Sequence, residues 1–123
     1  MSQAGSQAWA FYREVAQSRS VWTIRDEQGF PAPKGTDGKR AQPFWSSRAR
    51  VERIIKTIPG YSEFTPHEIS WADFVSRWVP GLSRDEILVG LNWTGSRALG
   101  HDLEPDQVRD AVEAIIAGGD GAA

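Results

Sequence analysis

The sequence predicts an α+β domain: an antiparallel sheet of about four strands, arranged as two hairpins, covered by about four helices. Three observations lead there. Segments of helical periodicity are separated by pairs of strands, whereas a strict one-strand, one-helix alternation would argue for a parallel sheet. One strand candidate, residues 87–93, is almost continuously apolar, so both of its faces are expected to be covered. The chain has 123 residues and is 40% hydrophobic, enough to build a core without metal or disulfide staples and to form about one domain.

The elements follow in order. Residues 6–18 read as a helix capped by Ser6, with Ala8, Phe11, Tyr12 and Val15 on one face and Trp9 at its edge. Residues 21–25, β-branched and aromatic, form a strand, and Asp26-Glu27-Gln28-Gly29 is a turn. Residues 31–38, with two prolines and two glycines, form an irregular loop. A second strand spans 40–45, and Pro43 assigns it to a sheet edge or a strand end. Ser46 or Ser47 caps a helix over 48–58 whose buried stripe is Val51, Ile54, Ile55 and Ile58; Pro59-Gly60 ends it. Residues 61–69 are extended, interrupted by Pro66. Ser70 then caps a helix whose face is Trp71, Phe74, Val75 and Trp78, stopped by Pro80-Gly81. The apolar strand 87–93 turns through Thr94-Gly95-Ser96 into a hairpin partner at 97–103. Glu104-Pro105 opens the last helix, which buries Val108, Ala111, Val112 and Ile115. The core domain is thus 6–117, with fraying ends at 1–5 and 118–123.

Composition excludes several functions. The absence of cysteine rules out disulfides, thiolate metal sites and a cysteine nucleophile. No apolar run is long enough to span a bilayer, and the first residues lack a basic region followed by an apolar stretch, so a cytoplasmic protein is expected. A net charge of −2 gives no global attraction to nucleic acid or anionic lipid. No phosphate-loop, dinucleotide or nucleophile-elbow spacing occurs, so neither an enzyme nor a cofactor is expected; a catalytic site of unfamiliar type would need a carboxylate of strongly shifted pKa in a pocket. His67-Glu68 and His101-Asp102 lie on extended segments, where neighbours point to opposite faces, so neither pair chelates; both histidines are expected at the surface, at strand ends.

Charge is nevertheless polarised. Between residues 34 and 56, Lys34, Lys39, Arg40, Arg48, Arg50, Arg53 and Lys56 face only Asp37 and Glu52. From His101 onward, Asp102, Glu104, Asp106, Asp110, Glu113 and Asp120 face only Arg109. Separated poles suit docking by complementary potential. Six tryptophans are many for one core of this size. Trp71 and Trp78 belong to a helix face, and Trp22 with Ile24 is assigned to the buried side of its strand. Trp45 and Trp93 end strands, where an amphipathic ring can serve recognition.

Trp22-Thr23-Ile24-Arg25-Asp26-Glu27-Gln28-Gly29-Phe30, then Gln42-Pro43-Phe44-Trp45-Ser46, Ile69-Ser70-Trp71-Ala72-Asp73-Phe74, Trp78-Val79-Pro80-Gly81-Leu82, Val89-Gly90-Leu91-Asn92-Trp93 and Leu103-Glu104-Pro105 follow one another in order. This succession resembles a small bacterial family known as domain of unknown function 2750, over about residues 22–114. The resemblance supports the fold, carries no catalytic residues, and implies a stand-alone bacterial protein of a kind that includes immunity partners of toxins.

The expectation is therefore a non-catalytic protein-binding domain, in its specific form an immunity protein that neutralises a bacterial toxin by direct binding. The alternative is a nucleic-acid-binding module using the basic stretch 34–56. The expected partner-binding residues are Trp45, Arg48, Arg50, Arg53, Lys39 and Arg40, with Trp45 as an exposed anchor whose truncation harms binding rather than folding.

Overall fold

The structure, a computed structural model, describes residues 3–95 and 99–118. The described residues form an α+β fold, with four helical segments and five strands in two small sheets. The expected turn residues Ser96, Arg97 and Ala98, and the ends at 1–2 and 119–123, lie outside the described residues.

Helix α1 (Gln3–Ser18) starts before Ser6, which therefore lies inside the helix rather than capping it. Its stripe of Ala8, Phe11 and Val15 is buried as the spacing requires. Arg19 ends it in a left-handed conformation (φ 61°), with its N–H on the Val15 carbonyl (2.7 Å) and its own Nε on the Ala16 carbonyl (2.8 Å).

Strand β1 (Ser20–Arg25) pairs antiparallel not with the next strand but with β3 (Thr65–Ser70), the stretch read above only as extended. The second sheet has the order β2 (Arg40–Phe44), β4 (Ile87–Thr94), β5 (Leu99–Leu103). Its outer pairs differ: β2 runs parallel to β4, while β4 and β5 form the expected antiparallel pair. Strand β4, central and buried over most of its length, is covered on both faces as its composition predicts.

The expected first hairpin, β1 with β2, is reduced to a single bridge between Trp22 and Trp45, whose N–H groups reach each other's carbonyls at 2.8 and 2.7 Å. Pro43 supplies the physical reason. Residues two apart on a strand point their backbone groups the same way, so Pro43 faces β1 at the next rung and has no N–H to donate. Its carbonyl accepts from the buried Thr23 hydroxyl instead (2.8 Å), and that hydroxyl accepts from Gln42 Nε2 (3.3 Å). One rung further, Ala41 N–H bonds the carbonyl of loop residue Pro33 (3.0 Å). The ladder stops there, and the predicted single four-stranded sheet in two hairpins becomes two sheets. Pro43 does lie on an edge strand, as its chemistry requires.

Helix α2 (Arg48–Thr57) is capped by Ser47, whose hydroxyl accepts the Arg50 N–H. Ser70 caps α3 (Trp71–Asp73) in the same way, through the Asp73 N–H. The run continues through a π turn (Phe74–Trp78) into α4 (Val79–Arg84), so Pro80-Gly81 does not stop it. In the π turn the Val79 N–H bonds the Phe74 carbonyl, five residues back. Pro80 thereby falls in the first turn of the following segment, where a missing N–H costs little. Helix α5 (Pro105–Ala117) follows Glu104, whose N–H is held by the Gln107 side chain (3.1 Å).

Two cores result. The larger lies among α1, the α3–α4 run, α5 and the β2–β4 face carrying Phe44, Val89 and Leu91, and it also takes in Val21. The smaller lies beneath α2 and holds Ile24, Trp45, Val51, Ile54 and Trp93. Strand β1 thus buries both its sides, Val21 in one core and Ile24 in the other, where the alternation argument assigned it a single buried face.

Candidate protein-binding face

The segment joining β2 to α2 carries most of the expected binding residues, and a buried polar network fixes its shape. Ser46 donates its backbone N–H to Asn92 Oδ1 (2.9 Å), and Asn92 Nδ2 returns a bond to Ser46 Oγ (3.0 Å). Ser46 Oγ donates to Glu14 Oε1 (2.5 Å). Arg50 grips the same carboxylate with both arms, Nε to Oε1 (2.9 Å) and Nη2 to Oε2 (2.8 Å). Asn92 holds a left-handed backbone (φ 50°) beside the irregularity in β4, and its carbonyl accepts from Gln7 (3.0 Å). The Arg50 bonds hold the Glu14 carboxyl below its ordinary range, against the opposing effect of burial, and the Ser46 bond adds to the lowering. Arg50 therefore ties α2 to α1 rather than presenting a free cation.

Trp45 requires a correction. The ring is 1% exposed, and its Nε1 donates to the Trp93 carbonyl (2.9 Å). It is fully buried in the smaller core and has no face to offer a partner. The bridge to Trp22 sets it there: it makes Trp45 an inner residue between the two sheets, not the rim of one. Trp93, the other strand-end ring, is 6% exposed, with its N–H on Asp102 Oδ1 (2.9 Å). Partial burial raises the Asp102 carboxyl, and the Trp93 bond partly offsets this.

The aromatic that reaches the surface beside α2 is instead Trp22, half-buried at the margin of the smaller core; the most exposed rings, Trp9 and Phe30, lie on α1 and after β1. The Arg48 guanidinium lies over its ring, 5.7 Å from the centroid, and Nε of Arg48 also bonds Glu52 (2.8 Å). Nothing in local spacing relates residue 22 to residue 48. The Trp22–Trp45 bridge brings them together, since Arg48 follows Trp45 by one turn of chain. Further round α2, Arg53 is exposed and lines an open groove of about 510 Å³ between α1 and α2, with Glu14, Gln17, Ser18, Ser47 and Arg50.

Lys39 and Arg40 do not join this group. They precede β2 or begin it, whereas Arg48 follows its far end, so the strand's length of roughly 15 Å lies between. They line a separate cleft with Lys34, Ser83, Glu86 and Glu104, and Arg40 Nη1 bonds the Ala32 carbonyl (3.0 Å). The six expected residues thus divide into a buried ring, a paired arginine, two surface arginines and a distant basic pair.

The histidines also differ from expectation. Both are half-buried within strands rather than exposed at their ends. His67 packs against Phe30 (5.2 Å between ring centroids), and Phe30 in turn meets Trp78 (4.9 Å). Among the described residues, no three His, Asp or Glu side chains are grouped as a metal site requires, and no helix is long and apolar enough to cross a membrane.

No curated protein matches the chain. Residues 8–112 match the family described as "Protein of unknown function (DUF2750)". The match reaches back into α1, ahead of the motifs noted above, and takes in every one of them through Pro105. The order of motifs, the α+β fold that they build and this match over most of the chain agree: the chain belongs to the DUF2750 family.

Proposed function

We propose that the domain is a non-catalytic protein-binding module acting through the outward face of α2. The observation that carries this reading is the Arg48–Trp22 stack. Arginine and tryptophan dominate interface energetics, and a guanidinium already parked on a ring loses little freedom on docking. In the specific form of the proposal, the domain acts in a bacterial cytosol as an immunity protein and blocks a toxin by occupying its surface. The nucleic-acid alternative draws less support: its basic residues are split between the two ends of β2, and Arg50 is already neutralised by Glu14.

The test is titration calorimetry against the protein encoded beside this one, with survival of cells expressing both. A nanomolar complex is expected, and Arg48→Ala should weaken it about 30-fold, the equivalent of about 2 kcal/mol, while leaving the fold intact. Absence of both binding and protection would remove the proposal.

A further inference from the structure

We infer that the α2 face takes an acidic protein surface, with partner carboxylates docking on Arg53 and Lys56 next to the Arg48–Glu52 pair. This deepens the protein-binding reading and rests on it. The outward side of α2 carries these three cations against one acid, Glu52, which is already bonded to Arg48. Among the described residues, Arg53 and Lys56 have no carboxylate within ion-pair distance. The acid that lines the groove with Arg53 is Glu14, and both its oxygens are taken by Arg50, one of them also by Ser46. The face therefore offers unmatched positive charge, with Ser47, Ser18 and Gln17 as further polar groups along the groove.

Discrete carboxylates fit this face better than a phosphate chain does. Glu52 stands within it and interrupts any continuous track for a polyanion. The chain is also acidic overall, and α5 turns exposed Asp106, Asp110 and Glu113 to solvent from the other core. A compact acidic patch on a protein can meet Arg53 and Lys56 while leaving Glu52 with Arg48, whereas a long nucleic acid would meet the acids as well.

The experiment uses the full chain, with poly-L-glutamate as probe and poly(U) as the competing polyanion, both at low salt. Amide shifts in NMR spectra locate the contact, and fluorescence titration gives the affinity. Polyglutamate should shift the amides of Ser47, Arg48, Arg53 and Lys56. The double variant R53E/K56E should weaken it by about tenfold or more, and K34E/K39E, which makes the same change in net charge at the other end of β2, by about twofold or less. All the substituted residues are exposed, and thermal unfolding verifies that both variants fold. Equal weakening by the two variants, no shift at α2, or tighter binding of poly(U) through the same amides would each overturn the inference. If the complex with the neighbouring gene product depends on Arg48 but survives R53E/K56E, the protein-binding reading stands and the acidic-partner inference falls.

Discussion

Gly90→Ala probes the packing under β4 with a single methyl group. A Cβ at residue 90 would lie 2.4 Å from Trp93 Cε2 and Nε1, and 2.6 Å from Cζ2. Ordinary carbon contacts sit near 3.5–4.0 Å, so the indole would have to retreat by more than about 1 Å. It has little room: the ring is 6% exposed, belongs to the smaller core, and is anchored by its N–H on Asp102. Overpacking of this kind costs about 1–3 kcal/mol. Displacing the indole from Asp102 adds roughly 1 kcal/mol, held low because that carboxylate is partly solvated. The reduced entropy of the unfolded chain returns roughly 0.5 kcal/mol. The expected net loss is about 2–3 kcal/mol, or a melting temperature lower by roughly 10 °C. Urea unfolding followed by far-UV circular dichroism measures it. A second pair, Trp93→Leu with and without Gly90→Ala, isolates the cause: with the ring gone, the alanine should cost less than about 0.5 kcal/mol. An undisturbed G90A protein, or an equal cost in both backgrounds, would refute the steric argument.

Two further outcomes follow from the polar and aromatic groups around α2. Trp45→Ala should destabilise the fold by about 3–5 kcal/mol in denaturant titration, because it empties the centre of the smaller core and orphans the Trp93 carbonyl; a loss below about 1 kcal/mol would contradict the burial described. Glu14 titrates lower folded than unfolded, so the unfolded chain binds its proton more readily: the contribution of Glu14 is present above its ordinary pKa and is lost as pH falls through the lower folded value. Glu14→Gln should therefore lower the urea midpoint at neutral pH and flatten its decline in the acid range; an unchanged acid profile would mean that the Arg50 grip does not persist in solution.

What the sequence made legible was local. Ser47 and Ser70 cap the helices they precede, the stripes on α1, α2 and α5 face inward, and the apolar run of β4 marks the central strand. These features depend on residues within a turn or two of each other. The β4–β5 hairpin, whose strands are neighbours in the chain, was legible too; the partnership of β1 was not, because pairing β1 with β3 rather than β2 is decided by Pro43 meeting Thr23, a contact between distant segments. The same limit misplaced Trp45. Trp22 lies in β1 and Trp45 closes the predicted strand 40–45, and only the bridge between them decides that Trp45 goes inside and Trp22 lies at the margin under Arg48. Pro80 misled in another way: its chemistry does end an α-helical ladder, but the π turn ahead of it relocates where that ladder begins.

The order of strand partners has a consequence for how the chain can be divided. The first strand pairs with the third and the second with the fourth, so the two sheets are interleaved along the sequence. Two cores and two sheets would ordinarily invite dissection into halves, yet every cut between β1 and β4 severs at least one sheet. Neither half can assemble before the chain has closed loops of some forty residues or more, from Arg25 to Thr65 and from Phe44 to Leu91. During synthesis, β2 must wait unpaired until β4 emerges, with Phe44 and Trp45 still uncovered. Truncated fragments of this protein should therefore be aggregation-prone rather than half-folded, and its folding should be slow for its size because its defining contacts are distant in the chain.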